Sequence, residues 1–227
     1  MDDVWVIVPT YNEEPVLART IVDLQQSFTH IVCVDDGSTD GSGDIALAAG
    51  ATVLRHVVNL GQGAALQTGF DYVLRRTSAA YVVTFDADGQ HEVADAVRMV
   101  ECARSSACDV VLASRFTGHT HDIPWARARI LHAGVWFTRR TTQLDVTDTH
   151  NGLRVLSRTA LSRIRLGLPR MAYASELLGA IVPSGLSYCE VPVTVNYTTY
   201  SRAKGQRNSN SLNILFDLAV RKLRAGR

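Results

Sequence analysis

Two carboxylates set two residues apart, Asp86 and Asp88, open the stretch Asp86-Ala87-Asp88-Gly89-Gln90-His91, which follows the apolar run Tyr81-Val82-Val83-Thr84-Phe85. A β-branched and aromatic run stopped by Asp and Gly reads as a buried strand opening into a loop. Alternate residues of an extended chain point to the same side, so the two carboxylates can meet at one point. Such charges repel unless a cation lies between them. A hard divalent ion held by carboxylate and amide oxygens, such as Mg²⁺, keeps positions open for phosphates, which makes Asp86 and Asp88 candidate ligands. A solvated acidic turn is the plain alternative for so short a pattern, and the surrounding chain has to decide between them.

The elements that would position these residues alternate. Val4-Trp5-Val6-Ile7-Val8 is a continuous apolar run, as in a strand covered on both faces, with Pro9 expected to end it. Asn12 is the expected N-cap of a helix with Glu13, Glu14 and Pro15 in its first turn and Leu17, Ile21 and Leu24 at helical spacing. Residues 31–34 form the next strand and run into Asp35-Asp36-Gly37-Ser38-Thr39-Asp40-Gly41. A helix to residue 49, a strand at 52–54 and a helix over 64–75, opened by Asn59-Leu60-Gly61-Gln62-Gly63, lead to the strand before Asp86. A further strand at 110–113 delivers Arg115, and residues 186–195 read as a returning strand. This alternation predicts an α/β fold with a Rossmann-like, doubly wound, mostly parallel sheet. Ligands of such sheets gather at the carboxyl ends of the strands. Tyr11 to Glu13, Asp35 to Gly37 and Asp86 to Gln90 should therefore line one crevice. Each alone could be a cap or a turn; their joint placement is what carries the functional reading.

Bulk properties narrow the classes. A chain of 227 residues suits one large domain, or a domain with a small appendage. A net charge of +1 argues against a dedicated nucleic-acid binder. The four cysteines show no Cys-x-x-Cys spacing and read as core or surface fillers in a reduced compartment. Asp2 and Asp3 ahead of the first strand are unlike a secretory leader, and no apolar stretch approaches the ~18 residues of a membrane span. The glycines at 61 and 63 lack the third glycine and the preceding long strand of a dinucleotide fingerprint. His119 and His121 could pair on a metal but have no evident third ligand.

Val8-Pro9-Thr10-Tyr11-Asn12-Glu13, Val34-Asp35-Asp36-Gly37-Ser38, Asn59-x-Gly61-x-Gly63 and Asp86-Ala87-Asp88-Gly89-Gln90 together resemble the inverting family 2 glycosyltransferases of the GT-A fold. Ala113-Ser114-Arg115-Phe116, Ile123-Pro124-x-x-Arg127, Asp148-Thr149-x-Asn151-Gly152-x-Arg154 and Glu190-Val191-Pro192-Val193 are similar to the polyprenyl-phosphate branch that includes dolichol-phosphate mannosyltransferases. The resemblance covers nearly the whole chain. It implies that Pro9, Tyr11, Glu13, Asp36 and Gly63 hold the nucleotide, with Asp86, Ala87, Asp88, Arg202 and Lys204 around the diphosphate. It implies Mg²⁺ or Mn²⁺ on Asp86, Asp88 and Gln90, where the ion acts as a Lewis acid toward the leaving nucleotide. Gln62 departs from a lysine frequent in the family.

The acceptor side follows from chemistry. A lipid phosphate is already an anion near neutral pH and can attack the anomeric carbon without a base. By resemblance Arg115 and Arg127 would hold it in line, with Asp88 as the third catalytic residue. A sugar hydroxyl would instead need a carboxylate base, for which Asp148 or Glu176 are candidates. Residues 124–140 interleave Trp125, Ile130, Leu131, Val135, Trp136 and Phe137 with Arg127, Arg129, Arg139 and Arg140, a pattern open to a membrane interface or to a protein partner. From Arg202 onward seven basic residues face Asp217 alone, so the tail is a candidate for an anionic surface. The expected organisation is a GT-A domain over residues 1–200, then a basic loop and amphipathic C-terminal helix over 201–227. The expected partners are a nucleotide sugar, a polyprenyl phosphate and either the membrane surface or a small membrane protein, with a homo-oligomer also open. The expected location is peripheral, at the cytoplasmic face of the cell membrane. Two readings compete: a glycan hydroxyl acceptor on the same fold, and a non-catalytic subunit that binds nucleotide sugar.

Overall fold

The computed structural model describes residues 1–116, 135–136, 139–140, 142, 144–149, 151–168, 172–196 and 200. Its elements in chain order are β1 (Val4–Thr10), α1 (Glu14–Gln25), β2 (His30–Asp35), α2 (Ser42–Ala48), β3 (Thr52–Arg55), α3 (Gln62–Arg76), β4 (Tyr81–Thr84), α4 (Val93–Ser106), β5 (Val110–Ser114), β6 (Arg154–Ser157), α5 (Arg158–Arg163), α6 (Tyr173–Ile181) and β7 (Tyr188–Pro192). The strands form one seven-stranded sheet in the order β3-β2-β1-β4-β6-β5-β7. All neighbours are parallel except β6, which runs antiparallel to β4 and β5. This is the mostly parallel, doubly wound sheet that the alternation of elements predicts.

Both faces of the sheet are covered, which is why its central strands carry unbroken apolar runs. Val4, Val6 and Val8 of β1 pack with Leu17, Ile21 and Leu24 of α1 and Met99 of α4. Ile7, on the opposite face, packs with Leu66 and Phe70 of α3, Leu161 of α5 and Leu177 of α6. Period-two alternation within β1 thus feeds two cores at once. The carboxyl ends of β2, β1 and β4 lie side by side, held by Asp36 N donating to Thr10 O (2.8 Å) and Phe85 N to Ile7 O (3.0 Å).

Two local expectations are corrected. Pro9 does not end β1, which continues through the pairs Pro9 with Val34 and Thr10 with Asp35. Backbone groups alternate between neighbours along a parallel strand, so the Pro9 nitrogen faces the side of β4, whose pairing stops at Ile7 and Thr84. No ladder bond is lost there. Asn12 is not the N-cap of α1; Glu13 occupies that position, without a side-chain cap. Asn12 sits in the left-handed region at φ 53, a conformation that Asn tolerates better than most residues. From there its Oδ1 accepts from Thr39 N at 2.9 Å and its N donates to Ser38 Oγ at 3.0 Å, tying the end of β1 to the loop after β2. The returning strand is shorter than expected, Tyr188–Pro192, with Val195 bridging to His91 beyond it.

Candidate active site

The Asp86–Gln90 loop is fixed from three sides. Thr20 Oγ1 of α1 donates to Ala87 O at 3.1 Å, Asn196 N donates to Gln90 O at 2.9 Å, and within the loop Gln90 N donates to Asp88 Oδ1 at 3.1 Å. Gln90 Nε2 also donates to Asp88 Oδ2. The loop backbone is therefore set before any ligand arrives.

The two carboxylates differ. Asp86 Oδ1 accepts from Gln62 Nε2 at 2.9 Å, and Oδ2 faces His91 Nε2 at 3.6 Å. Arg154, at the start of β6, is 2% exposed and lies over the Tyr173 ring, 5.6 Å from its centre. Burial pushes the Asp86 carboxyl up, but His91, Arg154 and Gln62 outweigh it and hold it below the usual carboxylate range. Asp88 is the opposite case: burial and the Asp86 charge push it up to about 6, and His91 offsets only part of that. Asp88 is thus the position where added positive charge gains most. A divalent ion fits there: one carboxylate is already balanced by the protein, and the other is raised by a negative neighbour. Among the described residues no three His, Cys, Asp or Glu side chains converge as a ready cage, so the ion's remaining ligands would be amide oxygen, substrate phosphate or water.

Glu13, at the N-cap of α1, raises Asp88 further through its charge. Its Oε2 accepts from Tyr200 Oη at 2.8 Å, and Tyr200 Oη also donates to Asn12 O at 3.3 Å. Burial, Glu13 and the charges of Asp40 and Asp88 push the Tyr200 hydroxyl upward. Tyr11 is 41% exposed beside them. Asp36 is buried at 3%, and its oxygens accept from Leu60 N (2.9 Å), Gly61 N (2.7 Å) and His56 Nδ1 (2.7 Å), clamping the start of α3 to the end of β2. Gly63 lies against the Leu168 carbonyl and Tyr173, where a Cβ would stand 2.6 Å from that oxygen.

Arg115 leaves β5 only 7% exposed; its N and Nε donate to Asp148 Oδ2 at 3.2 and 2.5 Å. Glu190 of β7 supports that pair, accepting from Thr147 N (2.8 Å) and Asp148 N (3.4 Å). The Glu176 carboxylate accepts from Gly167 N (2.9 Å) and Leu168 N (2.8 Å). Both carboxylates considered as bases are therefore committed to protein groups. Arg127, Arg202, Lys204 and the pair His119 and His121 lie outside the described residues. What sequence reading did not find is the surround of Asp86: Gln62, Gly152, Arg154 and Tyr173. Its one signal was the Asn151-Gly152-x-Arg154 string.

The fold and this crevice define a GT-A glycosyltransferase. Residues 5–165 match the family described as Glycosyl transferase family 2, and the chain belongs to it. An uncharacterized protein of Methanocaldococcus jannaschii is 34% identical over 98% of this chain and 93% of its own length. A polyprenol monophosphomannose synthase of Mycolicibacterium smegmatis is 30% identical, over 94% of this chain and 84% of its own. The UDP-N-acetylglucosamine–dolichyl-phosphate N-acetylglucosaminyltransferase of Methanococcus voltae is 28% identical over 97% and 96%. Among solved structures, glucosyl-3-phosphoglycerate synthase of Mycobacterium tuberculosis, in complex with Mn²⁺, UDP and glucosyl-3-phosphoglycerate, superposes with a TM-score of 0.70 at 20% identity. It covers 92% of this chain and 74% of that one, a likeness of fold.

Proposed function

We propose that the protein transfers a sugar from a UDP- or GDP-linked donor to a polyprenyl phosphate of undecaprenyl type, using Mg²⁺ or Mn²⁺ held by Asp88 with Asp86 and Gln90. The observation that carries the donor half is the contrast between Asp86, balanced by Gln62, His91 and Arg154, and Asp88, pushed up to about 6. When bound, the cation supplies charge that stabilises the departing nucleoside diphosphate. Tyr11 and Glu13 offer the nucleotide an aromatic face and an acceptor, while Asp36 fixes the turn that starts α3 and so fixes Gln62. Arg202 and Lys204 are proposed partners of the diphosphate.

On the acceptor side, Asp148 and Glu176 are both engaged by protein donors. That favours an acceptor that needs no base, and a phosphate monoester is one. The relatives named for transfer to dolichyl or polyprenol phosphate, matched over nearly their whole length, support the same choice. Arg115 and Arg127 are the proposed contacts of the acceptor phosphate. Among the described residues no helix is long and apolar enough to cross a membrane. The proposed location is peripheral at the cytoplasmic membrane face, with the exposed Trp136 and the basic segments meeting lipid or a membrane partner.

The test is an incubation with Mg²⁺ or Mn²⁺, a panel of UDP- and GDP-sugars, and either undecaprenyl phosphate or soluble glycans, following nucleoside diphosphate release. Release that depends on the lipid phosphate is expected. Release driven by a glycan alone overturns the acceptor, and donor binding without any release overturns the enzyme reading.

A further inference from the structure

Away from the crevice, three of the four cysteines gather at one point. Cys102 lies in the C-terminal half of α4, Cys108 in the turn before β5, and Cys189 on β7, where it pairs with Val111. The Cys102 and Cys189 sulfurs are 3.5 Å apart although 87 positions separate them in the chain. Cys108 lies near enough to the same Cys189 thiol to help raise its pKa. All three are partly exposed and rest on the rim of the core beneath α4, whereas Cys33 is fully buried on β2. A thiol used as a small apolar filler accounts for one cysteine in such a place. Three that converge from separate elements mean that any sulfur oxidised here has a second sulfur in reach. Among the described residues no three His, Cys, Asp or Glu side chains are arranged to hold a metal, which leaves thiol chemistry.

We infer that Cys102, Cys108 and Cys189 form an oxidisable thiol site in which Cys102 and Cys189 join as a disulfide and Cys108 is the exchanging third thiol. Forming the bond closes the sulfur gap from 3.5 Å to the bonded length of about 2.05 Å. The co-reactant is a peroxide. The Cys102 thiolate attacks one peroxide oxygen, the S–O bond forms as the O–O bond breaks, and the departing hydroxide takes a proton to become water. The Cys189 sulfur then attacks the sulfenic sulfur, the S–S bond forms, the S–O bond breaks, and the oxygen leaves as a second water with the Cys189 proton. The two sulfurs are each oxidised by one electron, and the peroxide takes both. Cys108 can open the bond by attacking Cys189, releasing Cys102 as a thiol. Burial and the two neighbouring thiols raise the Cys189 thiol well above the ordinary range, which suits it to the role of second partner rather than first attacker. The site sits beside the amino half of β5, at the end of the strand away from Arg115.

The test uses the reduced full-length chain, exposed to hydrogen peroxide, alkylated with iodoacetamide and digested with trypsin without reduction. Cleavage after Arg104 separates Cys102 from Cys108. A Cys102–Cys189 linked peptide pair is expected, lighter by about 2 Da than the two free-thiol peptides together and abolished by dithiothreitol. Cys108→Ser should retain that link and Cys189→Ser should lose it. Recovery of Cys102 and Cys189 only as alkylated thiols, as sulfinic or sulfonic acids, in links between chains, or only in links to Cys108 overturns the assignment.

Discussion

Gly152 stands so close to Asp86 that a Cβ at Gly152 would lie 2.0 Å from Oδ2 and 2.7 Å from Oδ1. The Gly152 carbonyl accepts from Thr84 Oγ1 at 2.6 Å, so the backbone is not at liberty to draw back. Gly152→Ala is expected to push Asp86 off Gln62 and His91, to cost about 1–3 kcal/mol as other overpacked sites do, and to lower turnover by about tenfold or more. Urea unfolding and steady-state rates measure both. Wild-type values for stability and rate would mean that the carboxylate is not held in this cradle.

Asp88→Asn should abolish turnover while leaving the circular dichroism spectrum unchanged. The pH dependence has a definite sign. A carboxyl pushed up to about 6 binds its proton more tightly than usual, and a cation must displace that proton. Mn²⁺ affinity, measured calorimetrically, is expected to be flat above pH about 6 and to weaken by about tenfold for each unit below it. In chelator the sign reverses for stability: the raised carboxyl disfavours the fold as pH climbs toward 6 and it ionises, and Asp88→Asn removes that loss. Metal affinity that ignores pH between 4 and 7 would count against Asp88 as the ligand.

Arg115 and Asp148 form a buried ion pair with side chains 8% and 1% exposed. Removing one charge leaves the other unmatched in the interior. Asp148→Asn should therefore destabilise by about 3 kcal/mol or more, read from chemical denaturation. A loss under about 1 kcal/mol would assign the pair to an exposed role that its burial argues against.

Arg127→Ala should raise the lipid-phosphate KM at least about tenfold while the nucleotide-sugar KM stays within about twofold, because a phosphate contact belongs to one substrate only. Equal increases in both would remove Arg127 from the acceptor side.

The parts of this architecture that the sequence makes readable are those coded by contiguous residues. The runs at β1, β2, β4 and β5 are apolar on both faces and give way to polar residues at the edge where ligands bind, so the strands and the crevice are readable, whereas the end of β1 is not, since it continues through Pro9 to Thr10. Asn12 misleads because Asn suits an N-cap and a left-handed turn equally well, and only the contact with Thr39 decides between them. β6 is four residues long and its direction is set by where the chain re-enters, which local pattern does not record. Gln62 reads as the loss of a family lysine, yet it keeps an Asp86 oxygen satisfied. The cysteines read as fillers because their spacing, 87 positions between Cys102 and Cys189, carries no local signal.

The reversed strand β6 has a wider consequence. Because it opposes both neighbours, the chain between Ser114 and Arg154 departs from and comes back to one rim of the sheet. Both ends of that stretch are fixed at the same rim, so its length can change without altering which strand lies next to which, provided that Leu144, Val146, Asp148 and Gly152, which pack into the core and against Asp86, are kept. Grafting the span that corresponds to residues 117–143 from a relative that serves another acceptor, with Asp148 and Gly152 left in place, should transplant acceptor preference while sugar-nucleotide recognition stays with the host.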